Sequence, residues 1–187
     1  TIDNSKGTGV QLFASTTCTF VNNSIRNSGR YGVHLIGSNT NVLSNNHIEN
    51  SVRYGIRIEN TTDLMSFNNQ IYSNMLSNNN GSDSVFNISH IQAFDDGENL
   101  WNSTIKGNWW SDWFYPDNDQ NGIVDVPYQI DGGTNFDYYP LTSKQTKVPR
   151  FITSPITNGR ETQPYVYSVE CSEVTSWSFN SNTSFLS

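Results

Sequence analysis

The feature that most constrains the fold of this chain is a repeat of 23 residues that runs from residue 9 to residue 74. Two sets of segments superimpose at this interval without a gap. The first set is 9–12, 32–35 and 55–58, and the second set is 22–25, 45–48 and 68–71. A constant period of this size is typical of repeat proteins, in which each unit covers the apolar face of the next.

Apolar residues alternate with polar ones inside each repeat, as in Val33 and Leu35 or Ile56 and Ile58. Alternation with a period of two indicates β-strands, and the Gly, Asn and Ser residues between the strands indicate turns. We therefore predict a parallel β-solenoid in which each repeat is one rung, with successive rungs roughly 4.8 Å apart. A tandem array of β-hairpins is the alternative, and the gapless registry disfavours it.

Residues at equivalent positions of a solenoid stack in columns along its axis. Asparagine side chains in one column can hydrogen-bond from rung to rung, and aliphatic side chains in another form the core. The predicted amide column is Asn23, Asn46 and Asn69, and the predicted aliphatic column is Ile25, Ile48 and Ile71.

Composition narrows the class of partner and the compartment. The 187 residues carry a net charge of −7, which argues against binding to nucleic acid. Only 14% of the residues are charged, while Asn and Ser are abundant, as suits an extracellular protein. No apolar run is long enough to cross a membrane. The sequence starts at Thr1 inside what resembles a rung, so we expect an N-terminal truncation or an end that stacks on a neighbour.

Six Asn-x-Ser/Thr sequences predict a secreted glycoprotein, because this sequence accepts N-linked glycans. The acceptor asparagines are Asn22, Asn60, Asn80, Asn87, Asn102 and Asn182.

Two cysteines, Cys18 and Cys171, are candidates for a disulfide. The repeat places Cys18 in one column with Asn41 and Leu64. In an oxidising compartment the two thiols would pair within the chain or between subunits, and a free pair is equally compatible with the sequence.

An aromatic segment follows the repeats. Two triplets share one spacing, Leu43, Asn46 and Ile48 in the repeats and Ile105, Asn108 and Trp110 in this segment. The match places Trp110 over the end of the aliphatic column. Nearby, Trp101, Trp109 and Trp113 form either a cap that shields the last rung or a platform on which sugars stack.

The sequence from Asp117 to Asp125 predicts a calcium loop, because oxygen-bearing side chains recur at alternate positions with a glycine at the sharp turn. The predicted ligands are Asp117, Asp119, Asn121, Ile123 through its backbone carbonyl, and Asp125. The twelfth position, where an EF-hand has Glu, is Tyr128, so the loop resembles instead those of thrombospondin type 3 repeats. We expect the calcium to be structural, and a solvated acidic turn is the alternative.

A family resemblance rests on a succession of motifs. They are Ala93-x-Asp95, Asn99-x-Trp101, Gly107-Asn108-x-Trp110-Ser111-Asp112, the calcium loop, Pro127-Tyr128-x-Ile130 and Asp137-Tyr138-Tyr139-Pro140-Leu141. This succession resembles the C-terminal end of the periplasmic copper-binding β-helix family, which is of the carbohydrate-binding and sugar-hydrolase (CASH) type. The family is abundant in surface-layer, sheath and adhesin proteins of methanogenic archaea. The resemblance implies an all-β, right-handed parallel β-helix over residues 1–141.

The resemblance does not bring a copper site with it. Copper binds clustered His, Cys or Met side chains, whereas these residues are scattered in the sequence. The scattered residues are His34, His47, His90, Met65 and Met75.

Beyond the β-helix, residues 142–150 are predicted to be a linker. Residues 151–187 alternate as strands do and are similar to the first half of an immunoglobulin-like surface domain. A complete sandwich needs about 100 residues, so we expect these strands to pair with a neighbouring rung or subunit, or the rest of the domain to be missing.

Hydrolysis of a glycosidic bond needs two carboxylates that face one groove. The carboxylates on the regular rungs are Asp3, Glu49, Glu59 and Asp63, and neither Glu49 nor Glu59 has an acidic partner in its own column or one rung away. We therefore predict a non-catalytic extracellular structural protein, a glycosylated subunit of a surface layer, sheath or filament. The alternatives are a carbohydrate-binding module that uses Tyr31, Tyr54 and the tryptophans, and a polysaccharide lyase-like enzyme.

Overall fold

The computed structural model describes residues 1–143, which fold into a parallel β-solenoid. Three parallel sheets run along its axis, because each regular rung contributes one strand to each sheet. The all-β fold predicted from the repeat is therefore confirmed. The predicted tail (151–187) and all but the first two residues of the predicted linker (142–150) lie outside the described residues.

The first sheet contains β1 (Ile2–Asp3), β4 (Ser24–Arg26), β7 (His47–Glu49), β10 (Met75–Ser77) and β13 (Trp109–Trp110). The second contains β2 (Val10–Phe13), β5 (Val33–Ile36), β8 (Ile56–Glu59) and β11 (Ala93–Asp95). The third contains β3 (Thr19–Val21), β6 (Val42–Ser44), β9 (Phe67–Tyr72) and β12 (Glu98–Leu100). An antiparallel hairpin follows, made of β14 (Tyr128–Gln129) and β15 (Phe136–Asp137), and a 3-10 helix spans Ile88–His90.

The second sheet keeps the predicted register through its regular rungs. Val33 pairs with Val10 on one side and with Ile56 on the other, and Leu35 pairs with Ile58. The side chains of Val33, Leu35 and Ile58 are fully buried, because alternate residues of a strand face opposite sides of the sheet. The alternation of apolar residues thus correctly predicted which side chains of this sheet face the core.

The first sheet departs from the predicted columns. Ile25 pairs with Ile48 as predicted, but the next residue in the column is Leu76 and not Ile71. Ile71 lies in the third sheet, where it pairs with Leu43. The aliphatic column is therefore Ile25, Ile48 and Leu76, with Trp110 beyond them.

The amide column changes in the same way. The prediction that Asn69 stacks on Asn46 is wrong, because Asn69 stacks on Asn41. The residue that stacks on Asn46 is Asn74.

A loop inserted at residues 60–65 causes both shifts. The interval between stacked residues is 23 from Cys18 to Asn41 but 28 from Asn41 to Asn69. The backbone amide of Ser66 closes the loop by donating to Oδ1 of Asn60 at 2.7 Å. The extra residues are confined to this loop, so the strands on either side still pair in parallel.

Leu64 lies on this inserted loop and not in the column of Cys18 and Asn41, where it was predicted. It covers Gly37, at which an added Cβ would lie 2.3 Å from the Cβ of Leu64. Gly37 also has a φ of 51°, a conformation that favours glycine. Packing and backbone conformation therefore both require glycine at position 37.

Candidate functional site

Three columns of side-chain amides run along the turns of the solenoid, and each ends at a buried aspartate. The first is Asn23, Asn46, Asn74 and Asn108, ending at Asp137. The second is Asn41, Asn69 and Asn99, ending at Asp95. The third is Asn79 and Gln92, ending at Asp112.

Asn74 shows how the amides connect the rungs. Its Oδ1 accepts hydrogen bonds from the backbone nitrogen and Nδ2 of Asn46, at 3.0 and 2.9 Å. Its Nδ2 donates to Oδ1 of Asn108 at 2.9 Å and also to the carbonyl oxygens of Leu43 and Tyr72. Each amide in the columns likewise donates from its nitrogen to the side-chain oxygen of the next member, so the side-chain hydrogen bonds of a column all run toward the aspartate that ends it.

Aspartate suits the last position of such a column because a carboxylate only accepts hydrogen bonds. Oδ2 of Asp137 accepts from the backbone nitrogen of Asn108 at 2.6 Å and from Nε1 of Trp110 at 3.0 Å. Oδ1 accepts from the backbone nitrogen of Tyr139 at 3.1 Å. An asparagine here would bring two further N–H donors into a place that already holds donors.

Asp95 and Asp112 end the other two columns on the same principle. Asp95 accepts from Nδ2 of Asn99 and from Nε1 of Trp101, both at 2.8 Å. Asp112 accepts from Nε2 of Gln92 at 2.7 Å. Burial raises the pKa of both carboxyl groups, although their hydrogen bonds act in the opposite direction.

Burial raises the pKa of Asp137 to about 7, and the hydrogen bonds from Asn108, Trp110 and Tyr139 offset this only in part. The folded chain therefore binds this proton more tightly than the unfolded chain. The stability that Asp137 contributes is fully present below the pKa of this group in the unfolded chain. It is lost as the pH rises through the pKa of Asp137 in the folded chain. We expect acidification from about pH 8 to about pH 6 to add about 1.4 kcal/mol to the free energy of unfolding.

The measurement is the difference in Tm between these two pH values, for the wild type and for Asp137→Asn. The variant should lack the contribution, so that its Tm changes less on acidification. His34, whose pKa is lowered by burial, acts in the opposite direction, but it is present in both proteins and cancels. Equal pH dependence in the two proteins would contradict the assignment.

The tryptophans form a cap and not a sugar-stacking platform. Trp101, Trp109 and Trp113 are 1, 7 and 8% exposed, so they offer no free ring face to a ligand. Trp110 covers the aliphatic column as predicted, and its ring stacks on Tyr128 with centroids 3.9 Å apart.

Three other aromatic and aliphatic residues differ from expectation. Ile105, predicted to continue the column of Leu43, is 67% exposed, because it lies on the loop between β12 and β13. Tyr31 is buried, with the guanidinium of Arg57 5.4 Å from its ring centroid. Tyr54 donates from its hydroxyl to Asp131 at 2.5 Å. Both tyrosines are therefore held by contacts within the protein, whereas the carbohydrate-binding alternative requires them to be free on the surface.

The predicted calcium ligands lie together on one loop. Carboxylate oxygens of Asp117, Asp119 and Asp125 are all within 4.8 Å of one another. Two oxygens that bind the same Ca²⁺ at about 2.4 Å lie at most about 4.8 Å apart, so these three groups fit a single ion. Asn121 and the carbonyl of Ile123 belong to the same turn and would supply two further oxygen ligands.

Backbone contacts hold this loop against the end of the solenoid. Gly122 has a φ of 87° and donates from its nitrogen to Oδ2 of Asp117 at 2.9 Å. Val124 is buried in the core, and its nitrogen donates to the carbonyl of Pro140 at 2.7 Å. A cation bound here would neutralise the clustered carboxylates and fasten the closing segment.

The carboxylates on the regular rungs are engaged in ion pairs and hydrogen bonds. Glu49 pairs with Nε of Arg26 at 3.0 Å and with Nε2 of His47 at 2.9 Å. Asp3 accepts a hydrogen bond from Nδ2 of Asn27 at 2.9 Å.

Glu59 pairs with the guanidinium of Arg57 at 2.6 Å and with Nε2 of His34 at 2.9 Å. Burial raises the pKa of Glu59, but the hydrogen bonds and charges of Arg57 and His34 outweigh burial and lower it. A carboxylate held in the ionised form is a poor general acid. Asp63, which was predicted to lie on a rung, is instead exposed on the inserted loop.

A family model described as a right-handed β-helix region matches residues 1–126. The chain belongs to this family. No curated protein and no solved structure gives a match. The match extends past the regular rungs of the β-helix and includes the tryptophans of the cap and the acidic loop at residues 117–125.

The residues considered for copper are distributed over the β-helix. His34 and His47 pair with glutamates on separate sheets, and Nδ1 of His90 contacts the carbonyl of Asn80 at 2.8 Å. Within residues 1–143, the one group of three or more His, Cys, Asp or Glu side chains close enough to share an ion is the acidic trio Asp117, Asp119 and Asp125.

Over the same described range, the β-helix contains no helix of a length and apolar character that could span a membrane.

The asparagines of the Asn-x-Ser/Thr sequences, which are predicted to accept glycans, differ in their surroundings. Asn22 and Asn87 are exposed. Three others, Asn60, Asn80 and Asn102, are partly buried, and each donates from Nδ2, the atom that carries a glycan, to a backbone carbonyl. Asn182 lies outside the described residues, as does Cys171, so the disulfide with Cys18 stays a prediction.

The three aspartates that end the amide columns have no role that follows from the repeat alone. Their neighbours in the sequence could have indicated that they are buried, since Asp112 lies between Trp110 and Trp113, and Asp137 precedes two tyrosines. A carboxylate within an aromatic run is buried more often than one in a polar run, and a buried carboxylate needs hydrogen-bond donors.

Proposed function

We propose that this β-helix is a non-catalytic structural module of an extracellular assembly, a glycosylated subunit of a cell-surface layer, sheath or filament. The observation that carries the proposal is the state of the rung carboxylates. Glu49 and Glu59 are each held by two basic side chains, so neither is left to act on a substrate. The resemblance of the closing motifs to β-helices of archaeal surface proteins adds support.

The cap supports the same proposal. Asp95, Asp112 and Asp137 are buried and end the amide columns, where they satisfy N–H donors. Their role is to close the β-helix, and stability of this kind suits a subunit that has to persist outside the cell.

Calcium is proposed as a structural ion of the cap. If the loop binds Ca²⁺, an excess of about 100 times the dissociation constant raises the free energy of unfolding by about 2.7 kcal/mol. We expect a corresponding rise in Tm, measured by calorimetry with and without chelator. Asp119→Asn should abolish most of the rise, because it removes one charged ligand.

Asp63→Asn is the matched control, since Asp63 is also exposed but lies on the inserted loop. Its Tm should rise with calcium as in the wild type. A wild-type Tm that does not respond to calcium would contradict a calcium role, and an equal response in Asp119→Asn would place the ion elsewhere.

Glycans are proposed at Asn22 and Asn87, whose exposure lets a sugar attach without breaking a hydrogen bond to the backbone. Attachment at Asn60, Asn80 or Asn102 would break the bond that each Nδ2 makes.

The assembly itself is tested by electron microscopy of the full chain, produced in a host that exports and glycosylates it. Ordered sheets or filaments support the proposal, and dispersed single particles at all concentrations refute it. If strand pairing of residues 151–187 drives assembly, deleting them should abolish the polymer but preserve the Tm response to calcium.

The same preparation tests the enzymatic alternative. Release of unsaturated sugars from an acidic polysaccharide would identify a lyase and would overturn the structural proposal.

A further inference from the structure

A cavity of about 250 Å³ opens on the surface beside the aromatic cap. It lies between the segment 84–86, which follows the first sheet's fourth strand, and the segment 112–115, which follows the fifth. Its walls are Ser84, Val85, Phe86, Asp112, Phe114 and Tyr115. None of these residues belongs to the calcium loop or to an acceptor sequence for glycans.

Aromatic rings form much of this wall. Phe86 meets Trp113 edge-on, with centroids 4.8 Å apart, and Tyr115 lies 4.5 Å from the same indole. Phe114 is 69% exposed and Tyr115 is 48% exposed, so both leave ring surface available. The face of an aromatic ring carries negative potential and attracts cations within about 6 Å of its centroid.

The wall also contains a buried carboxylate without a cationic partner. Asp112 is 2% exposed and forms no ion pair with any residue of 1–143. Its closest partners are neutral, the amide of Gln92 at 2.7 Å and the hydroxyl of Tyr128 at 3.4 Å. Burial and the nearby charge of Asp83 both raise the pKa of Asp112. A positive charge in the cavity would favour the ionised carboxylate and so act against both effects.

We propose that this cavity binds a small organic cation of the methylated ammonium type. Its methyl groups would contact Val85 and the rings of Phe86 and Phe114, and its charge would be compensated by the ring faces and by Asp112. An inorganic cation would need several oxygen ligands, which this largely apolar wall does not provide. A neutral apolar ligand would leave the charge of Asp112 uncompensated. This binding role goes beyond the structural function and does not depend on it.

The test is titration of the full chain with choline and with its neutral isostere, in which carbon replaces the ammonium nitrogen. Binding is followed by the fluorescence of the tryptophans, since Trp113 touches two rings of the wall. We expect choline to bind with a dissociation constant of about 1 mM and the isostere to bind about tenfold more weakly. Equal affinity for the two compounds, or no binding of either, overturns the proposal.

Phe114→Ala locates the site, because this exposed ring can be removed without disturbing the core. It should weaken choline binding about fivefold. The matched control is Tyr138→Ala, which removes a ring that is 58% exposed and lies outside this cavity. Choline should bind the control as it binds the wild type. If Tyr138→Ala weakens binding and Phe114→Ala does not, the site is elsewhere and the assignment fails.

Discussion

Asn74→Asp is expected to lower the free energy of unfolding of the β-helix by about 4 kcal/mol. The change keeps the shape of the side chain but removes both N–H donors, so the carbonyls of Leu43 and Tyr72 and Oδ1 of Asn108 lose their bonds. It also places a carboxylate among these acceptors in a fully buried position. Denaturant unfolding followed by circular dichroism measures the loss.

Asn45→Asp is the control for this substitution. Asn45 precedes the same column, but it is exposed and has a φ of 55°, a conformation that both Asn and Asp adopt. The control should change stability by about 0.5 kcal/mol or less. Equal stability of the two variants would mean that the amide columns do not hold the rungs together.

Trp110→Ala is expected to lower the free energy of unfolding by about 4 kcal/mol through a different mechanism. The substitution opens a cavity between Leu76 and Tyr128, whose ring stacks on Trp110. It also removes the indole N–H that Asp137 accepts at 3.0 Å, leaving a buried carboxylate with one donor fewer. The same denaturant titration measures the effect.

The comparison for Trp110→Ala is Phe114→Ala, which removes an aromatic ring that is 69% exposed. We expect a change of about 0.5 kcal/mol or less. A Trp110→Ala protein as stable as Phe114→Ala would mean that the cap does not support the β-helix.

The repeat predicted the class of fold and the register of the second sheet, because these depend on a period that is visible in the chain. It failed in the third rung for a specific reason. Residues 68–71 resemble 45–48, with two asparagines and an isoleucine at the same spacing, and the match hid the inserted loop. A better signal was the interval between Asn41 and Asn46, which recurs between Asn69 and Asn74.

The clustering of Asp117, Asp119 and Asp125 could be predicted because these residues lie within nine consecutive positions, and calcium binding by this loop stays a prediction. The aspartates that end the amide columns could not be predicted, since each meets its partners only in the folded chain. Asp137 and Asn108, for example, are 29 residues apart. The exposure of the tryptophans was likewise undecided in the sequence, where a cap and a platform require the same residues.

The uniform orientation of the amides determines how such a chain can change in length. A duplicated rung placed between existing ones would be accepted, because its asparagines receive hydrogen bonds from the preceding rung and donate to the following one. A rung added after the aspartates would meet carboxylates that have no donor to offer. Growth and shortening by recombination of the gene are therefore confined to the interior of the repeat array, and the closing segment has to remain last.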